Sequence, residues 1–270
     1  MPLIQIDYAL TFDALFHLGA GVSAGLVDRT VIRNASGYVY VPASTLKGVL
    51  REHCEQLCRF YTGDGNAQSA GVHVPNPHNP RDALMDFGNT QTLIGHIFGT
   101  SLHPGNMRFN DATQVDTHLY ASRDRANQDK GIYKAMQIST LTQARIDRLT
   151  HTAVDAALYT SEFGIPNLTF IGTIKGQVPS TSIEGLTRTV HEQETAHTLT
   201  PTYSLLLLLA GLLMVERLGG NKSTGKGQCT CIIEEVKLDK VLCPEAIWQE
   251  WVANLHVLSD YLDGQQGGQA

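Results

Sequence analysis

The chain has 270 residues, 42% of them hydrophobic, with 20 Lys and Arg against 26 Asp and Glu. That length suits one large domain, or a core with insertions, better than three domains. The net charge of −6 argues against a free-standing nucleic-acid binder, which is usually basic, but leaves room for a local basic track shared with partner subunits.

Residues 3 to 18 alternate loosely (Ile4, Ile6, Tyr8, Leu10, Phe12) and predict a half-buried strand. Gly19 to Gly25 is small and flexible. Val31-Ile32-Arg33 follows, Asn34 to Gly37 has turn chemistry, and Tyr38 to Val41 resumes a strand. Pro42-Ala43-Ser44-Thr45 opens a helix with Ser44 or Thr45 as N-cap. Leu46, Val49, Leu50, Leu57 and Tyr61 give it a buried face. Residues 62 to 92 are rich in Gly, Asn, Pro and His without a period, and read as a long insertion. Leu93 to Phe98 is a short apolar segment. Residues 118 to 165, polar and weakly periodic, predict a protruding hairpin that orders on a ligand or neighbour. Leu168 to Ile174 looks like a central strand, and residues 176 to 199 are again polar. Thr200-Pro201 starts an apolar helix that the spacing ends at Gly219-Gly220 as a C-cap. Its run Leu205 to Val215 is too short for a bilayer span of about 20 residues. Cys229 to Val236 is a strand, Pro244 to Leu262 a helix, and residues 265 to 270 a disordered tail. This order predicts an α+β fold of ferredoxin-like or RNA-recognition type, one domain over residues 1 to 264, enlarged by insertions.

The densest chemical signal is Gly219-Gly220-Asn221-Lys222-Ser223-Thr224-Gly225-Lys226-Gly227. It nearly spells a P-loop. Gly227 stands where magnesium binding needs Ser or Thr, however, and the loop follows a helix and precedes a strand, the reverse of P-loop order. What remains is a backbone that can turn N–H groups toward an anion, with lysines to supply charge. A phosphate-bearing ligand is the natural partner.

Two segments together resemble a known family. One is His17-Leu18-Gly19-Ala20-Gly21, then Gly25-Leu26-Val27-Asp28-Arg29-Thr30-Val31-Ile32-Arg33, then Val41-Pro42-Ala43-Ser44-Thr45-Leu46-Lys47-Gly48 with Arg51; the other is the glycine loop. They are similar to the RAMP superfamily of CRISPR proteins, and within it to backbone subunits of type III effector complexes. Ala144-Arg145-Ile146-Asp147-Arg148-Leu149-Thr150 is similar to the thumb of those subunits, and Phe98-Gly99 and Arg108-Phe109 match comparable pairs. The resemblance touches most of residues 10 to 235. It departs in Pro-Ala-Ser-Thr, where Pro-Gly-Ser-Ser is usual, and in Leu93-Ile94-Gly95-His96, where many relatives carry a Cys-x-x-Cys.

The resemblance implies a modified RNA-recognition core with a thumb, several copies of which stack along a CRISPR guide RNA beside other effector subunits and a target RNA. It assigns guide-backbone contacts to Gly19, Gly21, Ser44, Lys47, Arg51, Gly219, Gly220, Lys222, Ser223, Gly225 and Lys226. Arg145 and Arg148 fall on the thumb, which wedges between bases. Asp28 occupies the place of the aspartate that cuts target RNA with a divalent cation, Mg2+ or Mn2+, shared between that carboxylate and RNA.

The residues also admit plainer readings. Lys47 and Arg51 share a helix face and repel, unless an anion arrives or Glu55 neutralises Arg51. Asp28 also suits a turn or an N-cap. Cys54 and Cys58, with His53, His73, His78 and His96, are candidate donors for a structural Zn2+; i, i+4 spacing is atypical of a zinc knuckle, and core packing is favoured. Tyr8, Phe12, Tyr38 and Tyr40 suit base stacking, although their alternation favours core packing for at least half. His17 invites a general-base role, against a structural one. Five cysteines and no signal peptide fit a reducing cytoplasm, with no membrane partner. Three functions follow: a catalytic backbone subunit, a non-catalytic scaffold or capping subunit, and a guide-processing ribonuclease. The net charge disfavours the last.

Overall fold

The computed structural model describes residues 1–62, 92–100, 103–114, 136–192 and 195–261. Most of the 62–92 insertion, residues 118–135 of the expected projection and the 265–270 tail lie outside them.

Strand β1 (Leu3–Phe12) buries Ile4, Ile6, Tyr8, Leu10 and Phe12 on one face, as a period of two requires. Tyr8 and Phe12 are therefore core residues rather than stacking platforms. In chain order there follow β2 (Tyr40–Val41), α1 (Ala43–Thr62), α2 (Leu93–Phe98), β3 (Met107–Phe109), β4 (Ala112–Gln114), β5 (Ile138–Ile146), β6 (Ala153–Gly164), β7 (Thr169–Gln177), β8 (Arg188–Glu192), β9 (Thr195–Leu199), α3 (Tyr203–Leu213), β10 (Cys229–Leu238), β11 (Val241–Cys243) and α4 (Glu245–Ala253). Seven strands form an antiparallel sheet ordered β11-β10-β1-β7-β4-β2, with β3 also on β7. This is the mixed α+β architecture that the sequence predicts.

Helix α1 buries Leu46, Leu50, Cys54 and Cys58 at successive i+4 steps, packing on α3. Helix α3 is buried over Ser204–Gly211 and at Leu212, which explains a run apolar on every side. The open face of the sheet carries Thr11, Thr169, Thr173 and Thr230, where an aromatic base-stacking surface would sit. At its centre the half-exposed Ile171 and Ile232 flank Ala9.

Several boundaries differ from the sequence reading for identifiable reasons. Helix α1 begins at Ala43, so neither Ser44 nor Thr45 is its cap. Asp111 supplies the capping carboxylate instead, accepting the Ala43 N–H at 2.7 Å. A cap 68 residues away leaves no local trace. Helix α3 stops at Leu213 with Met214 as C-cap, well before Gly219-Gly220. Val215 and Leu218 are buried core anchors, and the chain bridges Arg217 to Gln228 there, so the helix cannot continue. The Pro244–Leu262 helix is α4 followed by a 3-10 turn over Leu255–Asp260. The polar stretch 176–199 contains the β8–β9 hairpin, whose local pattern is too weak to read. Tyr38 lies outside the strand, which is only Tyr40–Val41.

The expected projection is the β5–β6 hairpin. Its base joins the body where Phe16 and Gly164 exchange backbone hydrogen bonds, 3.1 Å from Phe16 N–H and 2.7 Å from Gly164 N–H. At its tip the Asp147 carboxylate accepts from Leu149 N–H at 2.7 Å and Thr150 N–H at 3.2 Å, an Asx-type turn.

Candidate nucleic-acid interface

The glycine loop is built as a latch. Leu218 and Gly227 close its neck, with Leu218 N–H donating to Gly227 O at 2.8 Å. Asn221 and Gly225 adopt left-handed backbone on either side of a 3-10 turn over Lys222–Thr224. The Arg217 guanidinium donates to Lys222 O at 3.0 Å, and Thr224 Oγ1 to Asn221 O at 2.9 Å. The loop docks on the chain after β1: Gly220 N–H donates to His17 O and Gly227 N–H to Leu15 O, both at 2.8 Å. Ser223, Thr224 and Gly225 stay exposed at the turn.

His17 is the hinge between this loop and the hairpin base. Its Nδ1 lies 2.8 Å from Glu162 O. A carbonyl only accepts, so Nδ1 carries the hydrogen, and Nε2 of the neutral ring is left as an acceptor. The Lys226 ammonium lies 5.5 Å from the centre of the Phe163 ring, and the His17 ring 5.7 Å from the same centre. These groups are thus gathered around Phe163, on β6.

The 19–33 segment crosses the same base. Asp28 N–H donates to Thr160 O at 2.9 Å, and Thr160 N–H donates to Asp28 Oδ2 at 2.7 Å. Arg29 lies 5.8 Å from the Tyr159 ring centre. His17, Gly19, Gly21, Val22, Ser23, Asp28, Arg29 and Thr30 line an open cleft of about 550 Å³. Asp28 and Arg29 are exposed in it. Among the described residues only Thr160 N–H bonds the Asp28 carboxylate, through Oδ2, and the side chain is part of the cleft wall.

The remaining candidates lie elsewhere. Ser44 is exposed in the first turn of α1. Lys47 sits 5.8 Å from the centre of the Phe109 ring. Phe109 pairs with Ile174, which pairs with Ile6, whereas the glycine loop enters the sheet at Cys229 opposite Phe12. From Ile6 to Phe12 the strand runs roughly 20 Å, so Lys47 and the loop lie well apart along the sheet. Arg51 donates to Glu55 at 2.8 Å and to Gly99 O at 3.1 Å, which ties α1 to the end of α2. Arg145 and Arg148 are exposed at the hairpin tip, beside Ile146, Asp147 and Val154 in a second hollow of about 720 Å³. Leu149 there is 90% exposed.

Family comparison agrees with the motif reading over the same span: a model of the RAMP superfamily matches residues 10–230. The chain belongs to the RAMP superfamily. No curated protein matches it. Among solved structures, a chain from the cryo-EM structure of "the Type III-B Cmr-beta bound to cognate target RNA" is similar at 12% identity. The alignment covers 87% of this chain and 97% of that one, with a TM-score of 0.49.

For this RAMP chain, the donor set bears on the metal question. Among the described residues no group of three His, Cys, Asp or Glu is arranged to hold an ion. Among the described residues Asp28 has one carboxylate oxygen without a hydrogen-bond partner, and it lines a roomy, open cleft. That fits an ion shared with RNA and water, not one caged by protein. Cys54 and Cys58 are core residues, and Cys54 Sγ contacts Leu207 O at 3.5 Å. His73 and His78 lie outside the described residues. Burial pushes the Cys54 thiol well above its ordinary value, and those of Cys229, Cys231 and Cys243 up to about 12. A raised folded-state pKa leaves stability intact below about pH 8.5, where unfolded thiols are also protonated, and erodes it as pH climbs toward 12. The urea midpoint is therefore expected to fall between pH 8 and pH 10, with a smaller fall in Cys229→Ala. An equal fall in the variant would remove the thiol from the cause.

No helix among the described residues is long and apolar enough to cross a membrane. Sequence reasoning missed Glu162, Thr160, Phe163 and Asp111. All four act across long separations, and only the acidic or aromatic character of three of them was visible.

Proposed function

We propose that this chain is a guide-RNA-binding backbone subunit of a type III CRISPR effector complex, and that it cleaves guide-paired target RNA at Asp28. One observation carries the reading. The glycine loop, far away in sequence, meets His17 and the Asp28 loop at the base of one projecting hairpin, with an exposed carboxylate lining an open cleft. Family membership supports the RNA context, and the exposed carboxylate at the cleft is in keeping with the proposed chemistry.

In this reading the glycine loop and Lys222 and Lys226 receive guide phosphates, and the hairpin tip with Arg145, Arg148 and Leu149 enters between bases. Asp28 Oδ1 orients the target 2′-hydroxyl and accepts its proton as the 2′-oxygen attacks the adjacent phosphorus. The 5′-oxygen leaves and is protonated from solvent. Arg29 stabilises the charge that gathers on the phosphate oxygens. A divalent cation, Mg2+ or Mn2+, held between Asp28, RNA and water, would supply Lewis-acid stabilisation of that charge. The test is target cutting by the assembled complex with and without chelator, beside sequencing of the RNA that copurifies with the chain. Copurified guide with chelator-sensitive cutting supports the reading; absence of guide overturns it.

The scaffold reading keeps one specific point in its favour. Asp28 Oδ2 is already committed to Thr160 N–H, as a turn-forming aspartate would be. Retained guide binding without target cutting would select it.

Charge reversal at Lys47 or Lys226 is expected to weaken guide binding uniformly across sequences. Each variant should flatten the salt dependence by roughly one unit of log-log slope. Titration at several salt concentrations checks this, and unchanged slopes in both would remove these lysines from the track.

A further inference from the structure

Glu162 lies on β6, two residues beyond Thr160, and all four of its polar groups are spent on the segment that carries His17 and Asp28. Its N–H donates to Arg29 O at 2.9 Å. Its carbonyl accepts from His17 Nδ1 at 2.8 Å. Its Oε2 accepts from Val31 N–H at 3.0 Å, and its Oε1 from the Arg33 guanidinium at 2.8 Å. The carboxylate is mostly buried, with 13% of the side chain exposed. Val31 is buried as well, so its N–H depends on an internal partner.

We propose that Glu162 is the positioning residue of the cleft, clamping the Asp28 loop to the hairpin base in the register in which Asp28 and His17 line the same cleft. This rests on the catalytic reading of Asp28. The physical case is the loop's own composition. Gly21 and Gly25 have positive φ and open space around them. The loop is braced by its own cross-bonds, Ala20 N–H to Thr30 O and Thr30 Oγ1 to Val22 O, and needs outside partners to fix it on the hairpin. Besides the Thr160 contacts and the Glu162 N–H bond to Arg29 O, the Glu162 side chain is what joins both Val31 and Arg33, beyond Asp28, to β6. Two carboxylate oxygens bonded to a backbone N–H and a guanidinium fix position and orientation together. Releasing them frees the Val31–Arg33 side of the loop, so that Asp28, still bonded to Thr160, turns out of line with the reacting phosphate, enough to lower a rate steeply while leaving the phosphate track in place.

The experiment compares single-turnover target cutting and guide and target affinity in complexes assembled with the parent chain, Glu162→Ala, Glu162→Gln and Asp28→Ala. Glu162→Gln is isosteric and guards against misfolding: its amide oxygen still accepts from Val31 N–H but loses the Arg33 charge pairing. Expected is a rate loss of roughly a hundredfold in Glu162→Ala, a smaller loss in Glu162→Gln, and affinities within about twofold of the parent. The double variant with Asp28→Ala should cut no more slowly than Asp28→Ala alone, since both changes remove one unit. Parental cutting by Glu162→Ala and Glu162→Gln, with Asp28→Ala inactive, overturns the clamp alone. Cutting by Asp28→Ala at the parental rate overturns the catalytic reading beneath it.

Discussion

Replacing Asp28 by Ala is expected to abolish target cutting while the complex still assembles and binds its guide. The carboxylate is exposed on a surface loop and fills no core space, so the cost to folding is the lost Thr160 N–H bond at 2.7 Å, about 1 kcal/mol. The cost to catalysis is the proton acceptor itself, a loss of roughly 10²- to 10⁴-fold. Asp28→Asn separates the two effects. Its amide oxygen can still accept from Thr160 N–H, so stability should match the parent, yet it cannot take the proton and should be as inactive as Ala. Single-turnover cleavage beside a urea titration checks both parts. Undiminished cutting in Asp28→Ala would move the chain to the scaffold class.

The largest structural effect is expected at Gly227. Its φ is +75°, and a Cβ built there would meet the Leu218 carbonyl oxygen at 2.1 Å. That carbon–oxygen pair belongs to the neck of the glycine loop, where Leu218 N–H also donates to Gly227 O. Alanine must therefore push backbone against backbone, with no flexible side chain to yield. Left-handed strain adds about 1–2 kcal/mol and the steric displacement about 1–3 kcal/mol. Gly225→Ala is the matched control. It has a similar φ of +78° but open space, so only the backbone strain applies. Expected is a markedly lower urea midpoint and weakened guide binding in Gly227→Ala, with a modest change in Gly225→Ala. Equal, small shifts in both would mean that the neck relaxes freely and does not hold the loop.

How much of this could be read beforehand depends on the distance over which each interaction acts. The alternation of Ile4, Ile6, Tyr8, Leu10 and Phe12 announces β1 because side-chain direction in a strand is set locally. The all-apolar run from Leu205 likewise announces a buried helix. The glycine loop was visible as composition, but not its termination: Gly219 has positive φ without capping α3, because Val215 and Leu218 are drawn into the core first. The Asp111 cap of α1 and the Glu162 clamp were invisible for the same reason. Each joins residues 68 or more positions apart, and nothing in the neighbourhood of either partner encodes the other.

The sequence by itself determined the class of core and the family, since periodicity and motif spacing are properties of a few neighbouring residues. Only the tertiary structure decided which of the candidate residues lie side by side. It placed Asp28, His17 and Lys226 around one hairpin base and put Lys47 on a separate stretch. It also bound Arg51 to Glu55 and Gly99. The reason is that antiparallel pairing and long-range hydrogen bonds are fixed when the whole sheet closes, and a carboxylate or guanidinium goes to whichever partner that closure brings within 3 Å.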